Sequence, residues 1–577
     1  MEQSGKYVQH PRVAVHCPDA RLAEGFAQIV PVLREAAAGK RVLSVECYPG
    51  TDQEELRRGL AALDPVLVIH SDDLAWEPDK LDAALAQDLL PDDPVFGILT
   101  VRKLADFFYP EKLADARRRI DAAPAGLVLV YGVGATLVHP GDVQVVADLT
   151  RWEIQLRYRS GMPNWRTAQP DLPKLKKYKR GFFAEWRWAD REKDHLLHTM
   201  DFYLDMTTRG KPALVDGAAY REALRQTARR PFRMVPYFDP GVWGGHWMKD
   251  HFQLPENGSN YAWSFDGVPE ENSLLLDFGG VVIQTPALNL VLQQPRALLG
   301  ERVHARFGKE FPIRFDLLDT VGGQNLSLQV HPLTEYIQQQ FNMRYTQDES
   351  YYILDAGPDA AVWLGVRDGV DPAAMEADLR RARTGEAPFP AERYINRIPV
   401  QKHDHLLIPA GTIHGAGAGT MVLEVSATPY IFTFKLWDWG RVDLDGKPRP
   451  IHLEHGLANI QWDRDTRWVQ QNLLHQERTV HRDEHNLVER TGLHEREFID
   501  TFRITTDVAA PLPRNGSVYM LNLVEGTRAR LVSPDGAFAP LELHYAETCI
   551  LPEAAGDCRI EAPDGAPIQV IAACVRP

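Results

Sequence analysis

The sequence has few cysteines, no long apolar run and no excess of positive charge. The five cysteines form no CxxC pair and are odd in number, which disfavours both a thiolate zinc site and a disulfide framework. They are Cys17, Cys47, Cys549, Cys558 and Cys574. No apolar stretch approaches the roughly 18 residues of a membrane span, and the first residues lack the charged-then-apolar order of a signal peptide. We therefore expect a soluble cytoplasmic protein without a membrane partner.

The charge balance disfavours nucleic acid as a partner. Lys and Arg number 64 against 79 Asp and Glu, a formal net charge of -15. Binding to a phosphate backbone needs the opposite excess, because cations supply most of that affinity. We expect a small molecule as the partner, and the oligomeric state stays open at this point.

The length predicts a multidomain protein. At about 150 residues per domain, 577 residues correspond to three or four domains. The change in texture along the chain predicts an α/β domain over residues 1–230 and a β domain over 231–480. A smaller β domain is predicted over 481–577.

Residues 39–134 alternate short apolar runs with amphipathic stretches. RVLSVE, VLVIH and GLVLVYGVGA are strand-like, and DQEELRRGLAAL and ADFFYPEKLADARRRIDAA are helix-like, which predicts a parallel sheet covered by helices. A nucleotide-binding fold would place its phosphate turn at residues 47–51, but GK[ST] is missing, so this turn is a poor phosphate cradle. By layout alone, the region resembles a P-loop kinase of nucleosides or nucleotides with a degenerate phosphate loop, and no kinase activity is expected.

Residues 151–191 are rich in Arg, Lys and aromatic side chains. A solvated helix with stacked aromatics is the ordinary interpretation of such a stretch. The alternative is a lid that binds an anion.

From about Pro231 the sequence consists of short β-type runs separated by turn residues. VVIQTPALNLVL, NLSLQVHP, SYYILDAG, HLLIPAGTIHG and TMVLEVSA predict an antiparallel barrel or double-sheet roll. DPAAMEADLRRARTGEAPFP predicts a helical insertion, and a second set of β runs after Phe498 predicts a smaller roll.

Four polar residues in this β region have the composition of a metal site. Gln329 and His331 are two apart in a strand and share a face. Glu349 heads an aromatic strand, and His414 lies in a glycine-rich turn. Such a donor set suits Zn²⁺ or, less selectively, Fe²⁺, Mn²⁺, Ni²⁺ or Co²⁺. A lone histidine on a strand is usually structural, however, and the chain has 20, including His403, His405, His452 and His455 nearby.

The motifs around these residues resemble the class I phosphomannose isomerases, zinc enzymes of the double-cupin type. In chain order the matches are Trp-Gly-Gly at 243–245, Gln-Val-His-Pro at 329–332, Glu349 before Ser350, Tyr351 and Tyr352, the loop with Pro409, Gly411 and His414, the strand with Leu423 and Glu424, and Asp-Trp-Gly-Arg at 438–441. The resemblance implies a metal-binding cupin followed by a second cupin-like domain. It implies one Zn²⁺, or another divalent ion, per chain at Gln329, His331, Glu349 and His414.

The resemblance also implies a reaction, the interconversion of mannose 6-phosphate and fructose 6-phosphate by proton transfer through an enediol. Glu424, Lys435 and Arg441 are the candidate catalytic residues, and Trp243 and Arg314, which lies two residues before Asp316 on the same face, are the candidate substrate-binding residues. Glu424, a metal-bound hydroxide and a lysine all remain candidates for the base.

Three positions depart from the family pattern. Lys435 stands where the family has an arginine, and Gln347 and Asp316 stand where it has lysines. Because Lys and Arg hold most of the charge of a phosphate, these changes bear on the phosphorylated substrate. Arg314, Lys435, Arg441 or the 151–191 stretch are candidates to replace the lost charge.

We expect a metal-dependent aldose–ketose isomerase of the mannose-6-phosphate isomerase type. The alternatives are an isomerase or epimerase of an unphosphorylated sugar and a non-catalytic sugar-sensing cupin. A kinase–isomerase fusion is disfavoured by the missing GK[ST].

Overall fold

The structure is a computed structural model that describes residues 7–255, 260–428, 431–442, 446, 449–492, 494–495 and 497–577. The chain forms two compact units. The α/β unit comprises Arg12–Thr227 and Glu270–Gln294. The β unit comprises Met1–Pro11, Ala228–Pro269 and Pro295–Pro577.

The strands, in chain order, are β1 Arg12–Ala14, β2 Leu22–Glu24, β3 Val42–Cys47, β4 Leu67–His70, β5 Val128–Gly132, β6 Val143–Asp148, β7 Phe202–Asp205, β8 Ala213–Asp216, β9 Tyr237–Asp239, β10 Trp263–Gly267, β11 Ser273–Asp277, β12 Val282–Pro286, β13 Ile313–Asp319, β14 Leu328–Val330, β15 Glu349–Ala356, β16 Ala361–Val366, β17 Ile395–Pro399, β18 His405–Ile408, β19 His414–Ala416, β20 Thr420–Ala427, β21 Phe434–Trp437, β22 Arg478–Arg482, β23 Asn486–Arg490, β24 Ile499–Thr506, β25 Ala509–Pro511, β26 Tyr519–Glu525, β27 Arg528–Val532, β28 Leu541–His544, β29 Thr548–Leu551, β30 Arg559–Glu561 and β31 Ile568–Val575.

The α-helices are α1 Phe26–Ala36, α2 Gln53–Leu60, α3 Pro78–Leu89, α4 Pro110–Ala122, α5 Ala135–Val138, α6 Arg151–Arg159, α7 Lys174–Arg180, α8 Trp186–Thr199, α9 Gly217–Thr227, α10 Trp247–Phe252, α11 Leu288–Gln293, α12 Pro295–Leu299, α13 Glu301–Phe307, α14 Thr334–Phe341, α15 Pro372–Arg383, α16 Ala391–Tyr394, α17 Leu453–Leu457 and α18 Thr466–Asn472. None of the helices in the described part of the chain combines the length and the apolar character needed to cross a bilayer.

The α/β unit contains the predicted parallel sheet. Its strand order is β2-β8-β7-β6-β3-β5-β4. β4, β5, β3, β6 and β7 are parallel, and β8 is antiparallel to both of its neighbours, β7 and β2. Every residue of β3 and β5 is buried, as expected for strands covered on both faces. Asp52 caps α2 by accepting a hydrogen bond from the backbone N–H of Glu55.

The turn after β3 is occupied by protein side chains. Gly50 has φ +107°, and a Cβ there would lie 2.9 Å from Ile154. Arg157 donates to the carbonyl oxygen of Gly50 at 2.9 Å. Both contacts come from α6, and the P-loop-like interpretation of this region stays a prediction.

Part of the basic stretch 151–191 lies inside the α/β unit rather than on a solvated face. Arg151, Arg157 and Arg180 are buried. Arg151 pairs with Asp190 at 2.9 Å, and Arg157 and Arg180 pair with glutamates of their own unit, Glu153 at 2.8 Å and Glu185 at 2.7 Å. Buried cations need such partners because desolvation is costly, so these charges serve the interior of the α/β unit.

The run VVIQTPALNLVL does not belong to the β unit, contrary to the sequence expectation. Its first half is β12, which pairs with β11 in a three-stranded sheet with β1, and its second half is the helix α11. All of these elements lie in the α/β unit. A short apolar run is ambiguous between helix and strand, and periodicity alone does not resolve it.

The β unit contains two antiparallel rolls, each built from two sheets. The first has a six-stranded sheet in the order β18-β15-β20-β13-β10-β9 and a five-stranded sheet in the order β17-β16-β19-β14-β21. The second has sheets in the orders β22-β23-β24-β31-β26-β29 and β25-β30-β27-β28. In each roll one apolar cluster draws buried side chains from both sheets, which makes each a sandwich with its own core.

The predicted helical insertion is present as α15, between β16 and β17. Asp371 caps it through the backbone N–H of Ala373, and Met375 and Leu379, one turn apart, are its buried apolar residues. The domain boundaries at residues 230/231 and 480/481 stay a prediction.

A buried carboxyl group predicts pH-dependent stability of the α/β unit. Burial raises the pKa of Glu46 from 4.5 to about 7, against hydrogen bonds from Gly134 and Thr136 that lower it. The folded state therefore holds this proton more tightly than the unfolded state. Its stabilising effect is complete below pH 4.5 and is lost as the pH rises through 7. From pH 5 to 8 we expect the wild type to lose about 2–3 kcal/mol more unfolding free energy than Glu46→Gln.

Chemical denaturation of the full chain at both pH values, followed by circular dichroism, measures this difference. Glu111→Gln, at an exposed glutamate of α4, is the control and should follow the wild type. Equal pH dependence in the wild type and Glu46→Gln would contradict the prediction.

Candidate metal centre

Three strands of the first roll bring the predicted metal ligands together. Gln329 lies in β14, opposite His414 at the start of β19, and His331 directly follows β14. Glu349 begins β15 in the other sheet. The alternation of side chains along β14 sends Gln329 and His331 to one face, as the sequence predicts.

His331, Glu349 and His414 form a compact buried cluster. Nε2 of His331 lies 3.1 Å from Oε2 of Glu349, and Nε2 of His414 lies 2.9 Å from Oε1. One ligand atom from each residue lies within 4.8 Å of the others. All three side chains are at most 1% exposed. Three potential donors therefore converge on one point.

Backbone carbonyls fix the orientation of both imidazoles. Nδ1 of His331 bonds to the Phe432 carbonyl oxygen at 3.0 Å, and Nδ1 of His414 bonds to that of Thr412 at 2.9 Å. Because a carbonyl only accepts, each Nδ1 carries the hydrogen, and in the neutral ring Nε2 carries a lone pair. Both Nε2 atoms face the Glu349 carboxylate, so either a proton on each Nε2 or a bound cation must lie between the rings and the carboxylate.

The loop before His414 is shaped by a glycine and an aspartate. Gly411 has φ +86°, and a Cβ there would meet Gln461 at 2.8 Å and Leu333 at 2.9 Å, so only glycine fits. Asp348 accepts a hydrogen bond from the Ala410 backbone at 2.8 Å. This bond ties the start of β15, where Glu349 lies, to the loop that delivers His414.

Gln329 lies beside the three-residue cluster. Its Nε2 is 3.1 Å from Nε2 of His414, and its Oε1 accepts from Ser327 at 3.3 Å. The structure thus brings all four sequence-predicted ligands together, with Gln329 presenting its amide nitrogen to His414.

Electrostatics hold Glu349 in its ionised form. Burial alone would raise the pKa of this carboxyl, but His331 and His414 hold it well below the usual range. Two buried polar atoms of the cluster, His331 Nε2 and Glu349 Oε1, have no well-aligned hydrogen bond among the described residues, as expected for atoms that bind a metal ion. Two imidazole nitrogens and a carboxylate, oriented in this way, fit a divalent transition metal.

A second group of buried charges lies on the same sheet face. Asp316 of β13 lies opposite Glu424 of β20, and Arg314 pairs with both, at 3.2 Å to Glu424 Oε1. All three side chains are at most 5% exposed, so Glu424 is not a surface glutamate. Burial raises the pKa of Glu424 well above the usual range and that of Asp316 to about 6, although Arg314 lowers both.

Gln347 connects the two groups. Its Nε2 donates to Oε2 of Glu349 at 3.1 Å and to Oε1 of Glu424 at 3.3 Å. The sequence shows Gln347 only as a departure from the family pattern. Its spacing, two residues before Glu349, was the available signal for this bridging position.

The remaining predicted site residues have different environments. Lys435 of β21 lies directly opposite Gln329 and is half-buried. Arg441 pairs with Asp438 and donates to the Asn325 carbonyl oxygen at 2.7 Å, so its described bonds hold a loop. Trp243 is 1% exposed and packs in the apolar core of the roll, which assigns it a packing role.

The nearby histidines have structural partners. His405 bonds to Ser350 at 2.8 Å, and burial lowers its pKa to about 3, which keeps it neutral. His403 bonds to Tyr352 and His455 to Tyr336, and His452 lies against the backbone N–H of Lys435.

Comparisons with known proteins divide the chain into two parts. Residues 25–229 match a family model described as a domain of unknown function, DUF8485. Mannose-6-phosphate isomerase ManA of Bacillus subtilis is 23% identical over 332 residues, which is 57% of this chain and 96% of that protein. A mannose-6-phosphate isomerase of Streptococcus mutans is 26% identical over 219 residues, 37% of this chain and 63% of that protein.

Among solved structures, the mannose 6-phosphate isomerase from Bacillus subtilis covers 60% of this chain and 99% of its own, with a TM-score of 0.49 and 19% identity. The sequence relatives support the prediction of an enzyme of the sugar-phosphate isomerase kind.

Removing a ligand should weaken metal binding. We expect His331→Ala and His414→Ala to lower the affinity for Zn²⁺ by more than about tenfold, because even residues that only support metal ligands contribute that much. Equilibrium dialysis with elemental analysis measures the affinity. His403→Asn, at a histidine of the same roll with another partner, is the control and should keep the wild-type affinity. Undiminished binding in both alanine variants would place the metal elsewhere.

Proposed function

We propose that the first roll is the metal-binding cupin of an isomerase that interconverts an aldose phosphate and a ketose phosphate, of the mannose-6-phosphate isomerase type. The observation that carries the proposal is the buried cluster of His331, Glu349 and His414, with the Nε2 atoms of both imidazoles directed at one carboxylate. The sequence relatives supply the reaction class.

We propose Zn²⁺ as the bound ion, held by His331, His414, Glu349 and the amide of Gln329. Rotation of the Gln329 amide would present its oxygen as the fourth donor. When bound, the ion supplies polarisation of substrate oxygens.

The chain itself supplies the groups for proton transfer. Glu424 lies on the sheet face of Glu349 and is connected to it through Gln347. An ionised carboxylate in this position can take the proton from C2 of the aldose phosphate, which gives the enediol, and return it to C1, which gives the ketose phosphate. Arg314 and Asp316 hold Glu424 in place, and we assign these two residues a positioning role.

Lys435 is the candidate for binding the anionic end of the substrate. It lies opposite Gln329 at the metal centre and is half-buried, so its ammonium group interacts more strongly than an exposed one. The lysine ammonium group is a point charge, whereas an arginine would present a planar pair of donors. Lys435 can therefore attract an anionic substrate but orients it less precisely than an arginine would.

A second candidate function is isomerisation or epimerisation of an unphosphorylated sugar. The specific observation is that the positive charge of Arg314 is neutralised by ion pairs with Asp316 and Glu424, while Gln347 carries no charge. Two positions near the metal centre therefore add little positive charge for a phosphate.

We further propose that the α/β unit is a degenerate P-loop-like fold without nucleotide turnover. Its first parallel strand, β3, lies inside the sheet and leads through the turn at Gly50 into α2. Ile154 packs against this turn, and Arg157 donates to its Gly50 carbonyl oxygen.

Metal analysis coupled to an isomerase assay tests the main proposal. We expect one bound metal per chain and turnover of mannose 6-phosphate that a chelator abolishes and Zn²⁺ restores. Turnover of free mannose, fructose or lyxose but not of mannose 6-phosphate would favour the second candidate. Absence of turnover on every sugar, with metal bound, would contradict both.

Substitution of Lys435 separates binding from chemistry. We expect Lys435→Ala to raise KM for mannose 6-phosphate about tenfold with a smaller change in kcat, because it removes a charge-assisted contact. Arg344→Ala, at a cation 74% exposed on the same unit, is the control for loss of charge and should behave as wild type. An unchanged KM in Lys435→Ala would remove this residue from the site.

A further inference from the structure

A polar cleft of about 350 Å³ lies in the β unit, between the first roll and the second. Leu407 of β18 belongs to its wall. Leu407 lies opposite Ser350, whereas the next residue, Ile408, lies opposite Glu349. Because successive residues of a strand face opposite sides, the cleft lies behind the sheet face that carries the metal ligand. It is a site separate from the metal centre.

Arginines dominate the charge of this cleft. Arg478, Arg490 and Arg576 line it together with His494, and Glu495 is its single acidic lining residue. In a protein of net charge -15, three guanidinium groups around one cleft depart from the average surface. The volume is in the usual range for small-molecule sites, about 300–1,000 Å³.

Two of the arginines are placed against each other by strand pairing. Arg478 of β22 lies directly opposite Arg490 of β23 in the antiparallel ladder. Like charges in this position destabilise a sheet, so the pair favours an anion that both can contact. Nε of Arg490 forms an ion pair with the Asp500 carboxylate at 2.8 Å. Arg478 is exposed and has no ion-pair partner within the described ranges.

Arg576 fixes the opposite wall. It donates to the carbonyl oxygens of Ile499, Glu495 and His494 at 3.0, 3.0 and 3.2 Å. Carbonyl oxygens orient a guanidinium without cancelling its charge. The carboxylates of Asp500, Glu497 and Glu495 are within electrostatic reach of Arg576, and Asp500 also pairs with Arg490, so Arg478 is the least compensated of the three arginines among the described residues.

Neutral polar side chains complete the lining. Gln471, Asn472, Gln476 and Thr491 also belong to the lining, and the amide nitrogens of Asn472 and Gln476 donate to backbone carbonyl oxygens. Amides and hydroxyls are the groups that hydrogen-bond sugar hydroxyls, while paired arginines suit phosphate oxygens.

We propose that this cleft is a second ligand site that binds a phosphorylated sugar, with the phosphate between Arg478 and Arg490. The proposal goes beyond the isomerase reaction and does not require it. An effector site of this kind would let a sugar phosphate bind the β unit without entering the metal centre.

Calorimetric titration of the full chain, treated with chelator, tests the site with glucose 6-phosphate, glucose and inorganic phosphate. We expect Arg478→Ala to weaken glucose 6-phosphate binding about tenfold, since one charge-assisted contact is lost. Arg478→Lys, which keeps the charge but loses the fork, should fall in between. Arg482→Ala, at the other exposed end of β22 and outside the cleft lining, is the matched control and should bind as wild type.

Equal affinity for glucose 6-phosphate in the wild type and Arg478→Ala would overturn the proposal. If inorganic phosphate binds as tightly as glucose 6-phosphate, with the same dependence on Arg478, the proposed recognition of the sugar is overturned. The cleft would then be a site for free phosphate. These titrations measure binding and not turnover, so a failure of the proposed isomerase activity would leave their outcome unaffected.

Discussion

The carboxylate of Glu349, buried between two oriented imidazoles, is the constraint on which the first roll depends. A buried anion is stable only with compensating partners. Here His331 comes from the end of β14 and His414 from the start of β19, and both rings are locked by carbonyl oxygens. The two sheets must therefore keep their separation and register for Glu349 to be tolerated at all. A metal bound among these groups would stabilise the roll as well as serve its chemistry.

The other buried charges near the site follow the same rule. Arg314 forms ion pairs with Asp316 and Glu424. Gln347 connects this group to Glu349 through hydrogen bonds to Glu349 and Glu424. These polar groups thus form one continuous network on the inner face of the six-stranded sheet. A change at any of its members alters the surroundings of the others, because the low dielectric of the interior screens them little.

The α/β unit shows the difference between a cationic sequence and a cationic surface. The stretch 151–191 is rich in basic residues, yet Arg151, Arg157 and Arg180 are spent on acidic partners inside the same unit. Composition cannot distinguish buried, paired arginines from a cationic surface, because the distinction depends on which carboxylates the fold brings near the arginines. The β unit presents the reverse, since Arg478 and Arg490 are far less conspicuous in the sequence but meet across a strand pair.

The sequence by itself determined the parallel sheet, the two antiparallel rolls and the choice of candidate metal ligands that the structure brings together, because these depend on periodicity and on local motifs. Tertiary structure decided the rest. It placed Trp243 in the core, moved VVIQTPALNLVL into the α/β unit and buried Glu424 beside Arg314. These outcomes depend on contacts between residues that are distant in the sequence, such as Arg314 and Glu424. No local sequence pattern encodes which distant side chain will neutralise a charge or cover an apolar face.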